Sequence, residues 1–339
     1  MSDGTGRQTD FESMFSMITG YWVSQIVAVA ADLSLAEHLE GSRLAADEIA
    51  IRENSDPDST QRFLHACAAL GLVTYEDGMF EGTPLLRTLH AGSDNSLRDL
   101  ALALTSPGHW LPWGRFAATV RTGTSQTVEA LGEGIFGYFG SHPAEAALFS
   151  GAMTDLSSPV ITQCLPVIDV TGVGVVADVG AANGAFVSAM LGQHPQLRGI
   201  AFDLPHIAPG AAVEAGKRGV SARLEISGGD FFESVPAADL YLLKFILHDW
   251  DDDSCVSVLQ NCRESMLPGG RVAIVEMVAG EPGGSSLVSL MDMNMLSMTI
   301  GRERGLDEFD DLLGKSGLRR VRNTPIQHPY QVIEAVAMD

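Results

Sequence analysis

The chain has little positive charge and little cysteine. It carries 21 Lys and Arg against 43 Asp and Glu over 339 residues, a formal net charge of −22 at pH 7. A surface this acidic repels phosphate backbones and anionic lipid, which argues against a nucleic-acid or membrane-surface partner. The four cysteines lack CxxC spacing, so we expect free thiols in a reducing cytoplasm. Small molecules and a second copy of the chain are the partners that this composition favours.

The chain also lacks an uninterrupted apolar run of the kind that crosses a membrane. Met14 to Ala31 carries no charge, but Ser, Thr, Gly and Gln residues interrupt it, and acidic residues precede it. A membrane span needs about 20 predominantly apolar residues, and a signal peptide needs a positively charged start. We therefore predict a buried helix. Apolar residues lie on more than one helical face over 11–40, which predicts a homodimer interface.

Residues 1–95 are predicted to form a mainly helical dimerisation and winged-helix domain. A helix near Ser59–Leu70 precedes a strand, an Asp-Gly turn and a second strand over 71–80, the order of a winged helix-turn-helix. The candidate recognition helix offers Arg62 as its single arginine in an acidic chain, so DNA binding is not expected. The module is interpreted as scaffold.

Residues 96–165 are predicted to be a helical connector that contributes to a substrate pocket. Phe149, Met153 and Ser157 recur at i, i+4 and i+8 and therefore share one face of a helix. Packing in a core is the alternative role for Phe149 and Met153.

From residue 173 onwards, strands and helices alternate. This pattern predicts an α/β fold, a doubly wound Rossmann-like sheet in a domain at 166–339. The predicted strands are 173–179, 198–204, 222–226, 239–245 and 271–277, and Arg319–Val321 and Gln331–Val336 are predicted to close the sheet as an antiparallel pair.

The first of these strands ends at Asp178 and breaks into a glycine turn. Gly180 and Gly184 allow left-handed backbone and close approach of a ligand and of the next helix. Ala182 stands where a dinucleotide fingerprint has its second glycine, which weakens a pyrophosphate interpretation. The sequence therefore indicates a ligand-binding turn that is not specific for a dinucleotide.

Polar residues also end the other predicted strands, and ligands of such sheets bind beyond the carboxyl ends. Asp203 lies roughly 20 residues beyond the glycine turn, a spacing that suits hydrogen bonds to ribose hydroxyls. Asp230 can accept from an adenine amino group while Phe231 covers the ring. These residues predict a cofactor that contains adenosine.

Five segments in this order resemble the motifs of class I S-adenosylmethionine-dependent small-molecule O-methyltransferases, both the plant caffeate- and flavonoid-type enzymes and the bacterial antibiotic-tailoring ones. The segments are Asp178-Val179-Gly180 with Gly184, Phe202-Asp203-Leu204-Pro205, Gly229-Asp230-Phe231-Phe232, Lys244 to Trp250, and Gly301-Arg302-Glu303-Arg304. The resemblance implies S-adenosyl-L-methionine as cofactor, S-adenosyl-L-homocysteine as product and no metal. It implies cofactor contacts at Ser157, Asp178, Gly180, Gly184, Asp203, Leu204, Gly229, Asp230, Phe231 and Lys244.

The same resemblance implies that His248 is a general base flanked by Glu276 and Glu303. A phenol with a pKa near 10 is mostly neutral at pH 7, and an imidazole with a pKa near 6.5 can remove its proton during attack. The two glutamates would orient one ring nitrogen and stabilise the imidazolium. The alternative for His248 is an ordinary histidine at a strand end, beside the acids at 251–253 that cap the next helix. Consecutive acids do not converge on one ion, so no metal is expected there.

The substrate is expected to be a small aromatic molecule with a phenolic or enolic hydroxyl. Met291 and Met295 share a helix face before Glu303, and flexible thioethers suit a flat ring, although core packing explains them as well. Asp292 is predicted to contact a second acceptor hydroxyl, and Asp249 is also predicted at the substrate. Three other functions fit parts of the pattern: non-methylating chemistry with the same cofactor, nicotinamide-dependent oxidation, and a ligand-sensing winged-helix transcription factor.

Overall fold

The computed structural model describes residues 9–93 and 96–338, which fall into two compact units. The first comprises the described residues up to Trp110 with Pro143–Asp155, and the second comprises Leu111–His142 with the described residues from Leu156 onwards. The predicted boundary between 95 and 96 falls beside Asp94 and Asn95, which lie outside the described residues, as do residues 1–8 and 339. The predicted division into 1–95, 96–165 and 166–339 stays a prediction.

The first unit opens with α1 (Asp10–Asp32), which a capping box between Thr9 and Glu12 begins. Its buried residues are Ala28, Ala30 and Ala31, near its carboxyl end. The prediction of a buried helix is therefore wrong for a single chain, because most of its large apolar side chains are exposed. By length and composition, α1 is also apolar enough to cross a membrane. Its exposed apolar residues need a partner to cover them.

A small antiparallel sheet and short helices complete the first unit. Asp77 and Gly78 both have positive φ, 50° and 81°, which gives the two-residue hairpin turn that an Asp-Gly pair favours. The predicted strand, turn and strand are thus present, and the winged-helix interpretation stays a prediction. The elements are α2 (Leu35–His38), β1 (Arg43–Leu44), α3 (Ala46–Glu53), α4 (Pro57–Ala69), β2 (Val73–Glu76), β3 (Met79–Gly82), α5 (Pro84–Arg87) and α6 (Arg98–Thr105), with sheet order β1-β3-β2.

Helices α7 (Pro107–Trp113) and α11 (Pro143–Cys164) contribute residues to both units. The other helices of the second unit are α8 (Phe116–Thr122), α9 (Thr127–Leu131), α10 (Ile135–Ser141), α12 (Ala185–Gln193), α13 (Ala211–Lys217), α14 (Asp252–Ser265), α15 (Ser286–Met298) and α16 (Leu306–Lys315).

The sheet of the second unit has the order β6-β5-β4-β7-β8-β10-β9. Strands β4 to β8 run parallel, and β10 pairs antiparallel with β8 and β9. The mostly parallel sheet and its antiparallel last pair were both predicted, and both predictions are confirmed. The strands are β4 (Val175–Val179), β5 (Arg198–Asp203), β6 (Leu224–Gly228), β7 (Ala238–Lys244), β8 (Met266–Met277), β9 (Leu318–Pro325) and β10 (Tyr330–Ala337).

The central strands carry apolar residues on both faces because both faces of the sheet are covered. In β7, Leu240 and Leu242 belong to the core on one face, and Tyr241 and Leu243 to the core on the other. Continuous burial of this kind is typical of parallel strands. The carboxyl ends of β4, β5, β7 and β8 therefore share one edge of the sheet, where the chain becomes polar.

Candidate active site

The turn after β4 is shaped by glycines that have no room for a side chain. Gly180 has φ +72°, and a Cβ there would lie 2.4 Å from Cδ1 of Ile246. Gly184 has φ +68° and caps α12, where a Cβ would lie 2.7 Å from that of Ala211. Ala182 adopts φ +48° without being a glycine, a conformation that costs an alanine of the order of 1 kcal/mol. The turn is thus tightly constrained on both sides.

Asp178 ties this turn to the helix behind it. Its side chain is buried, and its Oδ2 accepts the backbone N–H of Val187 at 3.2 Å. Burial raises the pKa of Asp178 to about 6, although the nearby charge of Lys244 opposes the rise. Asp178 therefore holds α12 against β4 from inside the predicted cofactor site.

Asp203 ends β5, and both of its oxygens are held by backbone groups. Oδ2 accepts the N–H of Ala182 and Oδ1 accepts that of Leu204, each at 2.7 Å. Burial raises the pKa of this carboxyl, against those two hydrogen bonds. Each carboxylate oxygen keeps a second lone pair, so the fixed carboxylate can still accept from a pair of ribose hydroxyls. Leu204 contributes its N–H to this arrangement, and its side chain is exposed.

The loop after β6 packs against the same edge. The N–H of Gly229 donates to the carbonyl of Asp203 at 2.9 Å, and a Cβ on Gly229 would lie 2.6 Å from the Phe202 ring. Asp230 accepts the N–H of Phe232 at 2.8 Å. The Phe231 ring packs edge-on against that of Trp250, with centroids 6.0 Å apart. An acidic residue and an aromatic residue thus follow directly after the backbone contact between Gly229 and Asp203.

Lys244 and Ser157 contact each other. Nζ of Lys244 donates to Oγ of Ser157 at 2.8 Å and lies 4.3 Å from the centroid of the Phe245 ring. Burial lowers the pKa of Lys244, while the charges of Asp178 and Glu276 oppose the fall. The ammonium group therefore lies in the field of two carboxylates, one at the glycine turn and one beside His248.

His248 lies in a short 3-10 turn, Leu247–Asp249, that follows β7. Its Nδ1 is 2.9 Å from Oε1 of Glu303 and 3.8 Å from Oε2 of Glu276, and its Nε2 is 3.8 Å from Oδ1 of Asp249. The His248 side chain is 16% exposed, whereas those of Glu276 and Glu303 are 0% and 1% exposed. The structure therefore brings together the three residues predicted to be catalytic.

Backbone contacts fix both glutamates. Oε1 of Glu276 accepts the N–H groups of Ile246 and Leu247, each at 3.0 Å. The N–H of Glu303 donates to Oδ1 of Asp292 at 2.9 Å. Among the described residues, no hydrogen-bond donor reaches the buried Oε2 atom of either glutamate. The cluster thus has two oriented carboxylates facing one imidazole.

The charges in this cluster change its proton affinities. Burial lowers the pKa of His248, but the charges of Glu276 and Asp249 and the hydrogen bond to Glu303 outweigh it and raise the pKa to about 10. Burial, with the charges of Glu303 and Asp249, raises the pKa of Glu276 to about 7, against the charge of His248. Burial also raises the pKa of Asp249. The value of 6.5 taken for His248 from sequence is therefore too low, since three acids surround the ring.

These groups are also close enough to hold a metal ion, because one ligand atom from each of His248, Glu276 and Glu303 lies within 4.8 Å of the others. When it is protonated, the imidazole itself places one positive charge between the two carboxylates. The expectation that the protein uses no metal stays a prediction.

The residues predicted to bind substrate lie on different elements of the chain. Met291 and Asp292 are half-buried on α15, and Met295 is buried. Asp292 is engaged by the N–H of Glu303 rather than open on both oxygens. Asp249 adjoins His248. Phe149 and Met153 belong to the first unit and Ser157 to the second, so the pocket role of Phe149 and Met153 stays a prediction.

Sequence reasoning missed several residues around His248. Phe245 has φ +56°, which is strained for a bulky residue, and its ring lies 5.9 Å from that of His248 and 5.4 Å from that of Tyr330. The indole N–H of Trp113 donates to Oδ1 of Asn294 at 3.0 Å. Arg304 stood in a quoted motif, without a role. Phe245 also stood in a quoted motif without a role, and Tyr330 gave no sequence signal beyond its aromatic side chain.

The chain is similar to known O-methyltransferases over most of its length. Residues 113–319 match an O-methyltransferase domain and residues 15–92 match an O-methyltransferase dimerisation domain. Phenazine O-methyltransferase PhzM of Lysobacter antibioticus is 34% identical over 324 residues, 95% of each chain.

Solved structures of O-methyltransferases are similar to this chain over most of its length. The crystal structure of LaPhzM has a TM-score of 0.93 at 33% identity and covers 98% of this chain and 100% of its own. The O-methyltransferase NcsB1 from neocarzinostatin biosynthesis, solved with S-adenosylmethionine and 2-hydroxy-5-methyl naphthoic acid, has a TM-score of 0.82 at 31% identity and covers 93% of this chain and 96% of its own.

Proposed function

Because the chain belongs to the S-adenosylmethionine-dependent O-methyltransferase family, we propose that it methylates a phenolic or enolic hydroxyl of an aromatic secondary metabolite, with His248 as general base. The observation that carries the proposal is the contact of 2.9 Å between Nδ1 of His248 and the buried Glu303. This pair lies at the same edge of the sheet as the oriented carboxylate of Asp203.

The residues at that edge fit the cofactor of the family. The glycine turn packs closely against Ile246 and Ala211, and backbone N–H groups hold the Asp203 carboxylate in place for ribose. Asp230 and Phe231 offer an acceptor and a ring for adenine. When bound, S-adenosylmethionine supplies a methyl group on a positively charged sulfur for in-line transfer to oxygen.

In the proposed mechanism the two nitrogens of His248 have different tasks. Nδ1 faces Glu303 and donates to it, which leaves Nε2 as the nitrogen that receives the proton of the acceptor hydroxyl. Asp249 is 3.8 Å from Nε2, too far for a hydrogen bond. The imidazolium formed by this transfer faces Glu276 and Glu303, which stabilise it. With its pKa raised to about 10, the neutral form of His248 is a stronger base than a free imidazole, and the share of the protein in that form grows as the pH rises.

The proposed assembly is a homodimer formed through the N-terminal helices. The match to a dimerisation domain over residues 15–92 supports it, and so do the exposed apolar residues of α1. The aromatic acceptor is supported by the substrate names of the relatives. A cytoplasmic location is supported by the four cysteines, each of which is free and buried.

The test compares wild type with His248→Ala on a panel that contains a hydroxyphenazine and 2-hydroxy-5-methyl naphthoic acid. We expect kcat to fall about 10²- to 10⁴-fold, with the affinity for S-adenosylmethionine, measured by calorimetry, little changed. His65→Ala, which removes an exposed imidazole of the first unit, is the control. A His248→Ala enzyme that methylates as fast as wild type would overturn the assignment of the base.

Product mass decides between methyl transfer and non-methylating chemistry. Methylation adds one methylene to the acceptor and yields S-adenosylhomocysteine in equal amount. Oxidation, decarboxylation or ring closure of the acceptor with no S-adenosylhomocysteine would contradict the proposed reaction.

A further inference from the structure

The segment Gly301–Arg304 meets the turn that carries His248 at three of its four residues. Glu303 contacts the imidazole, whereas Gly301 and Arg304 contact the backbone on either side of it. Neither of these two residues is part of the chemistry described so far.

Arg304 is a buried cation whose guanidinium donates to two backbone carbonyls and to one carboxylate. Its side chain is 1% exposed. Nη1 donates to the carbonyl of Leu247 at 2.8 Å and Nη2 to the carbonyl of Trp250 at 2.8 Å, so the guanidinium bridges the two ends of the turn. Nε and Nη2 also donate to Oδ1 of Asp252 at 3.0 and 2.8 Å. A planar guanidinium makes this fork of bonds, and an ammonium group does not.

Gly301 rests directly on the same turn. A Cβ there would lie 1.9 Å from the carbonyl oxygen of His248, 2.4 Å from the carbonyl carbon of Asp249 and 2.5 Å from the nitrogen of Trp250. All three are backbone atoms, which cannot move aside as a flexible side chain can. The segment therefore packs on the turn with no space for a larger residue.

The segment is in turn fixed to the strand that carries Glu276. Arg304 forms a parallel bridge with Val278, and its carbonyl accepts the N–H of Ala279 at 2.9 Å. Asp292 holds the N–H of Glu303. Both glutamates and the turn of His248 therefore share one frame that passes through Arg304.

We propose that Gly301 and Arg304 are positioning residues that clamp the 247–250 turn and thereby hold Nδ1 of His248 on Glu303. The inference rests on the proposed role of His248 as base. Neither residue touches substrate or cofactor in this assignment. A displacement of about 1 Å of the turn separates the imidazole from Glu303, and misplacements of that size cost about 10²-fold in rate.

The principal variant is Arg304→Lys, which keeps the charge and loses the fork. Arg320→Lys is the matched control, because the partly exposed Arg320 of β9 makes a similar bidentate contact with Asp310. We expect Arg304→Lys to lower kcat about 10- to 100-fold on the fastest acceptor of the panel, with the Kd of S-adenosylmethionine changed less than twofold. The control should match wild type.

Nitrogen NMR of the imidazole gives a readout independent of turnover. In wild type, Nδ1 of His248 should show a strong hydrogen bond and titrate well above an ordinary histidine. In Arg304→Lys that hydrogen-bond signature should be lost and the titration should move to lower pH. Gly301→Ala, which leaves the guanidinium unaltered, should give the same two changes.

Asp252→Asn is a milder test of the same clamp if those variants fail to fold. Asp252 is half-exposed, and the amide oxygen still accepts from Arg304, so this protein should fold and show a smaller change of the same kind in the imidazole signal and in kcat. The clamp is refuted if the folded variants keep the wild-type imidazole signal and kcat. A different result would show that His248 is not the base. In that case His248→Ala would be fully active, whatever imidazole signal Arg304→Lys gives.

Discussion

His248 differs from an ordinary histidine in the number of acids that surround it. Glu303, Glu276 and Asp249 all face the ring within 4 Å, and together they outweigh the effect of burial on its pKa. A base of this kind is stronger than a free imidazole, but it is protonated over most of the physiological range. The form that accepts a proton increases as the pH rises toward about 10.

The pH dependence of catalysis follows from that environment. We expect kcat/KM to keep rising well above pH 6.5, with a limb near the pKa of about 10 of His248. Glu303→Gln keeps an oxygen for Nδ1 and removes one negative charge, so the pKa of His248 should fall and the limb should move about 1–3 units toward lower pH. Asp310→Asn, at the partner of Arg320, is the control. A limb that stays in place in Glu303→Gln would contradict the assigned coupling.

The site residues that sequence reasoning found share a position at the ends of strands. Asp203 was predicted because the topology of a parallel sheet gathers strand ends regardless of side-chain packing, whereas the roles of His248 and Glu276 were implied by the resemblance to a family. Arg304 was not assigned a role, because its partners are backbone carbonyls whose availability depends on how one turn is folded. The positive φ of Phe245 is equally invisible in sequence, since nothing local favours it in an aromatic residue.

At the scale of elements, α1 has an apolar face that its own chain leaves uncovered. Phe11, Phe15, Ile18 and Trp22 recur at i, i+4, i+7 and i+11 and therefore lie along one side of the helix. They are 79%, 53%, 65% and 50% exposed. An exposed apolar patch of this kind marks an interaction site. The match to a dimerisation domain over residues 15–92 supports a second copy of the chain as the partner.

Charges placed on that face should therefore separate the dimer. We expect the double variant Ile18→Glu with Trp22→Glu to shift the mass measured by light scattering in detergent-free buffer from twice the chain mass toward the chain mass. Val213→Glu, at an exposed apolar residue of α13, is the control and should remain dimeric. A wild-type protein that is monomeric, or that needs detergent to stay dispersed, would contradict the proposed interface.

The strands were more predictable than their ends. The runs at 198–204 and 239–245 correspond to β5 and β7 within one residue, because burial on both faces leaves a strong apolar signal. The prediction for β8 began at 271, whereas the strand begins at Met266. Pro268, Gly269 and Gly270 favour a turn, and the ladder with β7 passes from Met266 directly to Arg271 without pairing them. Continuous pairing with β7 therefore begins at 271, the residue at which the strand was predicted to start.

At the scale of the whole molecule, the net charge of −22 and the buried cluster affect stability in the same direction. His248 has a folded pKa above its unfolded value, so its stabilisation is complete below pH 6.5 and is lost as the pH rises through about 10. The raised pKa of Glu276, about 7, gives a contribution that is complete below its usual 4.5 and is lost as the pH rises through 7. Repulsion among surface carboxylates, which are ionised above about pH 5, is a further destabilising contribution.

Salt separates these two contributions. We expect the melting temperature to be about 3–6 °C lower at pH 9 than at pH 6. At 1 M NaCl the screening length is about 3 Å, so repulsion between surface charges should vanish while the buried cluster keeps its effect, and the fall between pH 6 and pH 9 should remain. Glu276→Gln should reduce that fall, because it removes one buried titrating group and the charge that raises the pKa of His248, while its amide oxygen still accepts from Ile246 and Leu247. If high salt abolishes the fall entirely, the buried cluster contributes nothing, and the raised pKa of His248 on which the pH profile of catalysis depends is wrong as well.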